Sequence, residues 1–110
     1  MLTEGLNDVH SRLNPTTVEH VLRPRHGGEV VAAIDGARAS GMRISVGGAR
    51  HAMGGQQFRA GSVHVDTRAL EREPRLDADR GLLAIGAGAD WTEIIRATHD
   101  LQPGGVKRWA

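Results

Sequence analysis

The 110-residue chain has no cysteine, no tyrosine and only three aromatic rings, Phe58, Trp91 and Trp109. Without cysteine, disulfides, thiolate zinc sites and a Cys nucleophile are excluded together, and a cytoplasmic compartment is the simplest expectation. So few aromatic rings cannot build a base-stacking surface. Lys+Arg number 14 against Asp+Glu 13, a net charge of +1, so neither a nucleic-acid footprint nor a membrane-binding patch is expected. No apolar run approaches the roughly 20 residues of a membrane span. The opening Met1-Leu2-Thr3-Glu4-Gly5 also lacks the basic and apolar regions of a signal peptide.

Glycine, by contrast, is abundant: 15 of 110 residues, about twice the usual share. The length fits one compact unit without a second independent core.

Residues 1–15 have weak periodicity and read as a loosely held lead-in. Val18 to Leu22 reads as a short strand that stops at Arg23-Pro24. Gly28 to Ser40 then places Val30, Val31, Ile34 and Ala37 on one helical stripe, with Gly41 at the stop. Arg43 to Val46 alternates as a half-buried strand and runs into a glycine loop, Gly47 to Gln57. Val63 and Val65 alternate with Ser62, His64 and Asp66 in another short strand after Gly61. Leu70–Leu76 and Gly81–Gly86 flank a polar turn, Asp77-Ala78-Asp79-Arg80, with Pro74 suited only to an edge. Asp90 followed by Glu93 is a capping-box start for a helix that ends near Gln102, and Trp91, Ile94 and Ile95 are expected in the core. The order of elements is α+β.

The densest chemistry lies in Gly47-Gly48-Ala49-Arg50-His51-Ala52-Met53-Gly54-Gly55. Glycine allows close backbone approach, so consecutive N–H groups can converge on an anion such as a pyrophosphate. Arg50 can add a charge-assisted bond, and His51 is a nucleophile toward an electrophilic cofactor. A glycine-rich hairpin with both side chains on the surface stays open from the residues alone. Further on, Gly86-Ala87-Gly88-Ala89-Asp90-Trp91 imitates a dinucleotide fingerprint. It puts Trp91 at the third glycine position and has no acid about 20 residues later, so a tight strand-to-helix turn is the better reading. The six histidines have no zinc-helix spacing, and no metal is expected. Ser45 lacks a nucleophile-elbow setting, and Asp77 and Asp79 sit in a solvated turn.

Arg43 through Gly55, preceded by Val21-Leu22-Arg23-Pro24-Arg25 and followed by Val65-Asp66-Thr67-Arg68-Ala69-Leu70 and Gly86 through Ile94, resembles the FAD-linked oxidase family. These are vanillyl-alcohol-oxidase or p-cresol-methylhydroxylase (PCMH) type flavoproteins, among them sugar-lactone and alditol oxidases. The resemblance covers about residues 14–110. It implies that residues 16–110 form the first α/β subdomain of a PCMH-type FAD-binding domain. It also implies FAD as cofactor, held by Gly47, Gly48, Ala49, Arg50, His51, Ala52, Gly54 and Gly55, with His51 at the position that in many members bonds covalently to the flavin.

By the same resemblance the substrate would be a sugar, lactone or alcohol. A second glycine-rich segment and a substrate domain would follow. The 110 residues are therefore expected to be a truncated N-terminal part with no assignable catalytic base, completed by a complementing polypeptide. The reading from a different class is a non-catalytic phosphate- or nucleotide-binding or partner-pairing module. One departure from the pattern is His26-Gly27-Gly28 in place of a Ser/Thr-type helix start, expected to weaken that cap by up to about 1 kcal/mol.

Overall fold

In the computed structural model, which describes residues 3–109, two helices and seven short strands follow one another along the chain. Strands β1 (Glu4–Leu6), β2 (Thr16–Val18) and β3 (His20–Leu22) lead into helix α1 (Gly27–Ala39) and strand β4 (Ile44–Gly47). A long loop leads to β5 (Val63–Asp66) and a 3₁₀ turn (Thr67–Ala69), then β6 (Arg75–Asp77), β7 (Leu82–Ala84) and helix α2 (Trp91–Asp100). The class is α+β, as the element order predicts.

The centre is a three-stranded parallel sheet in the order β3-β5-β4. Because β5 is flanked on both edges and both faces, all four of its residues are buried. Its valines lie on the α1 side, near Ala33 and Ala37, the two buried residues of the helix. His64 and Asp66 point to the other face and are buried there as well. A central strand of a parallel sheet is covered on both sides whatever its polarity pattern.

Two antiparallel pairs complete the fold, β1 with β2 and β6 with β7. The predicted single strand Val18–Leu22 is divided, because β2 pairs with β1 while β3 pairs with β5. The chain changes sheets at Glu19, whose N–H donates to the Ser62 carbonyl at 2.9 Å. The lead-in is likewise tied down through β1 and through residues 7–14, rather than loosely held. Of the predicted strand Leu70–Leu76 only its last two residues are extended, since Leu70 closes the 3₁₀ turn and residues 71–74 are irregular. The β6–β7 hairpin turns where the polar stretch predicts, with Gly81 at φ +66°.

Two apolar expectations are corrected. On α1 the buried stripe is Ala33 and Ala37, and Val31 and Ile34 face solvent. On α2 Trp91 is 76% exposed and Ile95 is also exposed, so neither belongs to the core. Helical spacing identifies an apolar stripe but not what covers it. The α2 capping box is present in full: Asp90 accepts from the Glu93 N–H at 2.8 Å, and Glu93 accepts from the Asp90 N–H at 2.9 Å. At α1, by contrast, the His26 side chain makes no capping bond. Among the described residues no helix is long and apolar enough to cross a membrane.

Candidate functional site

The glycine loop leaves the C-terminal end of β4, the usual ligand end of a parallel sheet. It forms one wall of a cleft of about 650 Å³ lined by Gly47 through Ala52. Ala89, Asp90, Trp91 and Thr92, at the start of α2, form the facing wall. The structure thus brings together six of the eight sequence-predicted site residues. Gly54 and Gly55 lie just beyond the lining, where Gly55 (φ +72°) turns the loop against Asn14.

The reason for glycine at the first loop position lies underneath it. A Cβ on Gly47 would stand 3.1 Å from the His64 ring, so the loop rests directly on that imidazole. His64 is fully buried; its Nδ1 lies 2.8 Å from Ser45 Oγ, which is also 2.8 Å from Ser62 Oγ. Burial, reinforced by the positive charge of Arg50, pushes its pKa below the ordinary histidine value. His64 is therefore a neutral ring at pH 7.

Arg50 is a non-glycine residue at φ +62°, a conformation that costs of order 1–3 kcal/mol and persists only where surroundings enforce it. Its carbonyl accepts from the Val9 N–H at 2.9 Å, and its Nη2 lies 3.7 Å from the buried Asp66 carboxylate. Burial, together with the neighbouring Arg68, lowers its pKa, but a guanidinium stays protonated regardless. Asp66 also pairs with Arg68 and lies 3.9 Å from Arg23. Burial alone would raise the Asp66 pKa; hydrogen bonds from Arg68 outweigh it and hold the carboxyl below its ordinary value. Three guanidiniums thus share one buried carboxylate, leaving positive charge behind the loop.

Three buried polar atoms here have no protein partner: Arg50 Nε, Gln57 Oε1 and His64 Nε2. Gln57 lines the cleft, and its Nε2 donates to the Ala52 carbonyl at 2.9 Å. Buried polar groups are nearly always satisfied, so the orphaned Arg50 Nε lies where the protein itself supplies no acceptor. The chemistry of that wall fits a diphosphate: it carries the positively charged Arg50 and no carboxylate.

The facing wall is unsuited to phosphate. Asp90 and Glu93 occupy donors at the α2 N-terminus and place carboxylates there, with Glu93 held below its usual pKa by the Asp90 N–H and Arg72. The nucleotide-like glycines have another purpose. A Cβ on Gly86 would collide with the Glu71 carbonyl and one on Gly88 with the Thr67 carbonyl, so both exist for a close backbone crossing.

His51 is exposed at the cleft, and its Nδ1 lies 2.7 Å from His10 Nε2. That partner, together with Asp8, Ser11 and Asn14, was missed in the sequence. Its only trace there is a polar, turn-forming composition at residues 7–14.

No curated protein and no solved structure matches the chain. Residues 18–104 match the family model described as FAD binding domain, a span that contains the parallel sheet, the glycine loop, the cleft and α2. The chain therefore belongs to the FAD binding domain family, of the FAD-linked oxidase type, and its cofactor is FAD.

Proposed function

We propose that the cleft between the glycine loop and α2 seats FAD, with Gly47, Gly48, Ala49, Arg50, His51 and Ala52 around the pyrophosphate, for oxidation of a sugar, lactone or alcohol. The observation that carries this is the cleft wall made by the glycine loop, which holds the cationic Arg50 and no carboxylate and rests through Gly47 on a buried ring. Gly54 and Gly55 close the loop, Gly55 turning at φ +72° beside Asn14. The apolar indole of Trp91 and the side chain of Ile94 form the opposite wall, which suits the less polar part of the cofactor. Bound flavin supplies the two-electron redox chemistry. The chain's own residues supply position, charge compensation and shielding from water. The exposed face of α2 that carries Ile95 is where a complementing polypeptide carrying the substrate groups would pack.

Titration of the 110-residue chain with FAD, followed by flavin fluorescence, is expected to saturate at one equivalent. Arg50→Ala is expected to weaken binding by about tenfold to a hundredfold, the usual worth of a charge-assisted bond. ADP should compete, since it carries the same diphosphate. Wild-type protein that leaves FAD fluorescence unchanged at high concentration would refute the reading.

His51 is the candidate for covalent attachment, because its ring stands on the cleft lining and an imidazole is a nucleophile. After acid denaturation, mass spectrometry should find flavin retained on wild-type protein and absent from His51→Ala. Equal release from both would show that the bond does not form.

A further inference from the structure

Residues 7–14 make more contacts with the glycine loop than a lead-in to a strand needs. Asp8 is 1% exposed, and its carboxylate accepts from the Ser11 N–H at 2.6 Å, the Ser11 hydroxyl at 2.9 Å and Asn14 Nδ2 at 3.0 Å. Asn7 Oδ1 accepts from the Asn14 N–H at 3.0 Å and closes the turn from the other side. The knot does not end on itself. Asn14 Nδ2 also donates to the Met53 carbonyl at 2.7 Å, the Val9 N–H to the Arg50 carbonyl at 2.9 Å, and His10 meets His51 at 2.7 Å. Three contacts thus tie loop residues 50, 51 and 53 to this segment.

The grip falls where the loop is least able to hold its own shape. Arg50 is in the left-handed region without being glycine, and Gly55 turns directly against Asn14. An open chain would relax Arg50 to a right-handed conformation and swing both its guanidinium and the neighbouring amides away from the cleft. The Val9 bond to the Arg50 carbonyl opposes that rotation.

We propose that Asp8, Ser11 and Asn14 form a clasp that keeps the glycine loop in its ligand-ready conformation, making Asp8 and Asn14 positioning residues for the FAD site. The clasp touches no cofactor; it acts through the Met53 and Arg50 carbonyls. This rests on the reading of the cleft as the FAD site, but its mechanical half stands without it.

The test uses the full chain without ligand and with FAD. Hydrogen–deuterium exchange of the ligand-free protein is followed at residues 49–55 and, for comparison, at β5. Asn14→Ala and the milder Ser11→Ala are expected to speed loop exchange about tenfold while β5 keeps its protection. Ser11→Thr, which retains the hydroxyl, should restore the wild-type rate. FAD affinity should fall about tenfold in the two Ala variants and recover in Ser11→Thr. Unchanged loop exchange, or a rise matched at β5, overturns the clasp, the latter because it shows a general loss of stability. Faster loop exchange with unaltered FAD affinity overturns the positioning role. If wild-type protein binds no FAD, the site reading fails by itself and the exchange data still decide the clasp.

Discussion

Replacing Gly86 by Ala is expected to destabilise the protein by about 3 kcal/mol, at the top of the range for forced overpacking. The added Cβ would overlap the Glu71 carbonyl oxygen and stand 3.0 Å from Arg72 Cα. Neither is the mobile end of a side chain. The Glu71 N–H is meanwhile bonded to the Arg25 carbonyl at 2.9 Å, so that segment cannot retreat without losing a backbone hydrogen bond. Gly88 meets the Thr67 carbonyl in the same way. Neither glycine has a positive φ, so the requirement is space rather than conformational freedom.

Gly36→Ala is the control. It lies inside α1 with nothing within 4 Å of an added Cβ, and should stabilise by about 0.5–1 kcal/mol through helix propensity. Urea unfolding measures both, as midpoints moving in opposite directions with unchanged slopes. A Gly86→Ala protein as stable as wild type would mean that the crossing is not as tight as described. The consequence reaches function, because this crossing places Ala89 to Thr92 opposite the glycine loop.

Acidification is expected to remove stability in two stages. His64 has a folded pKa below its unfolded value, so the folded state resists protonation that the unfolded chain accepts. Its contribution is complete above about pH 6.5, the unfolded value, and falls as pH drops toward the folded one. In that window one proton gives a slope of up to about 1.4 kcal/mol per pH unit. Asp66 is lowered as well, through Arg68, so its contribution is complete above about pH 4 and is lost below that. Asp8, held well down chiefly by the Asn14 amide, acts with the same sign in the same lower range.

Urea midpoints across the pH range from 7 to 3 should therefore show a first decline and then a steeper one. His64→Gln should lower stability at pH 7 but flatten the upper decline, since the variant has no proton to take up there. Curves for wild type and His64→Gln that run parallel between pH 5 and 6.5 would show that His64 does not reside in the fold as a buried neutral ring. Asp66→Asn should reduce the lower decline without abolishing it, because Asp8 remains.

Local rules reached the elements whose signals are local. The α2 start was legible because Asp90 and Glu93 satisfy each other within a single turn, and the β6–β7 hairpin because its turn residues are contiguous. The glycine loop was legible for the same reason: Gly47 through Ala52 is an unbroken run, and six of eight predicted residues meet at one cleft. What failed was each inference that needed to know a neighbour. Trp91 and Ile95 have helical spacing but nothing packed on them, while Ala33 and Ala37 are the residues α1 buries. Ser62, His64 and Asp66 alternate with two valines, and nothing in that local pattern says that β5 lies between two other strands. The Asp8–Asn14 segment has no periodicity to detect, since its order comes from side-chain bonds to a loop some forty residues away.

By itself, then, the sequence determined the class of elements, the glycine loop with Arg50 and His51, and the resemblance that led to FAD. These depend on propensity, capping and motif, which act over a few residues. Tertiary structure alone decided that β5 is central, that Gly47 lies on His64, and that Gly86 and Gly88 exist to let two backbones cross. It also turned the lead-in into a support for the loop. Burial, steric clearance and the pairing of a charge with a distant partner are properties of positions in space, and no local pattern encodes them.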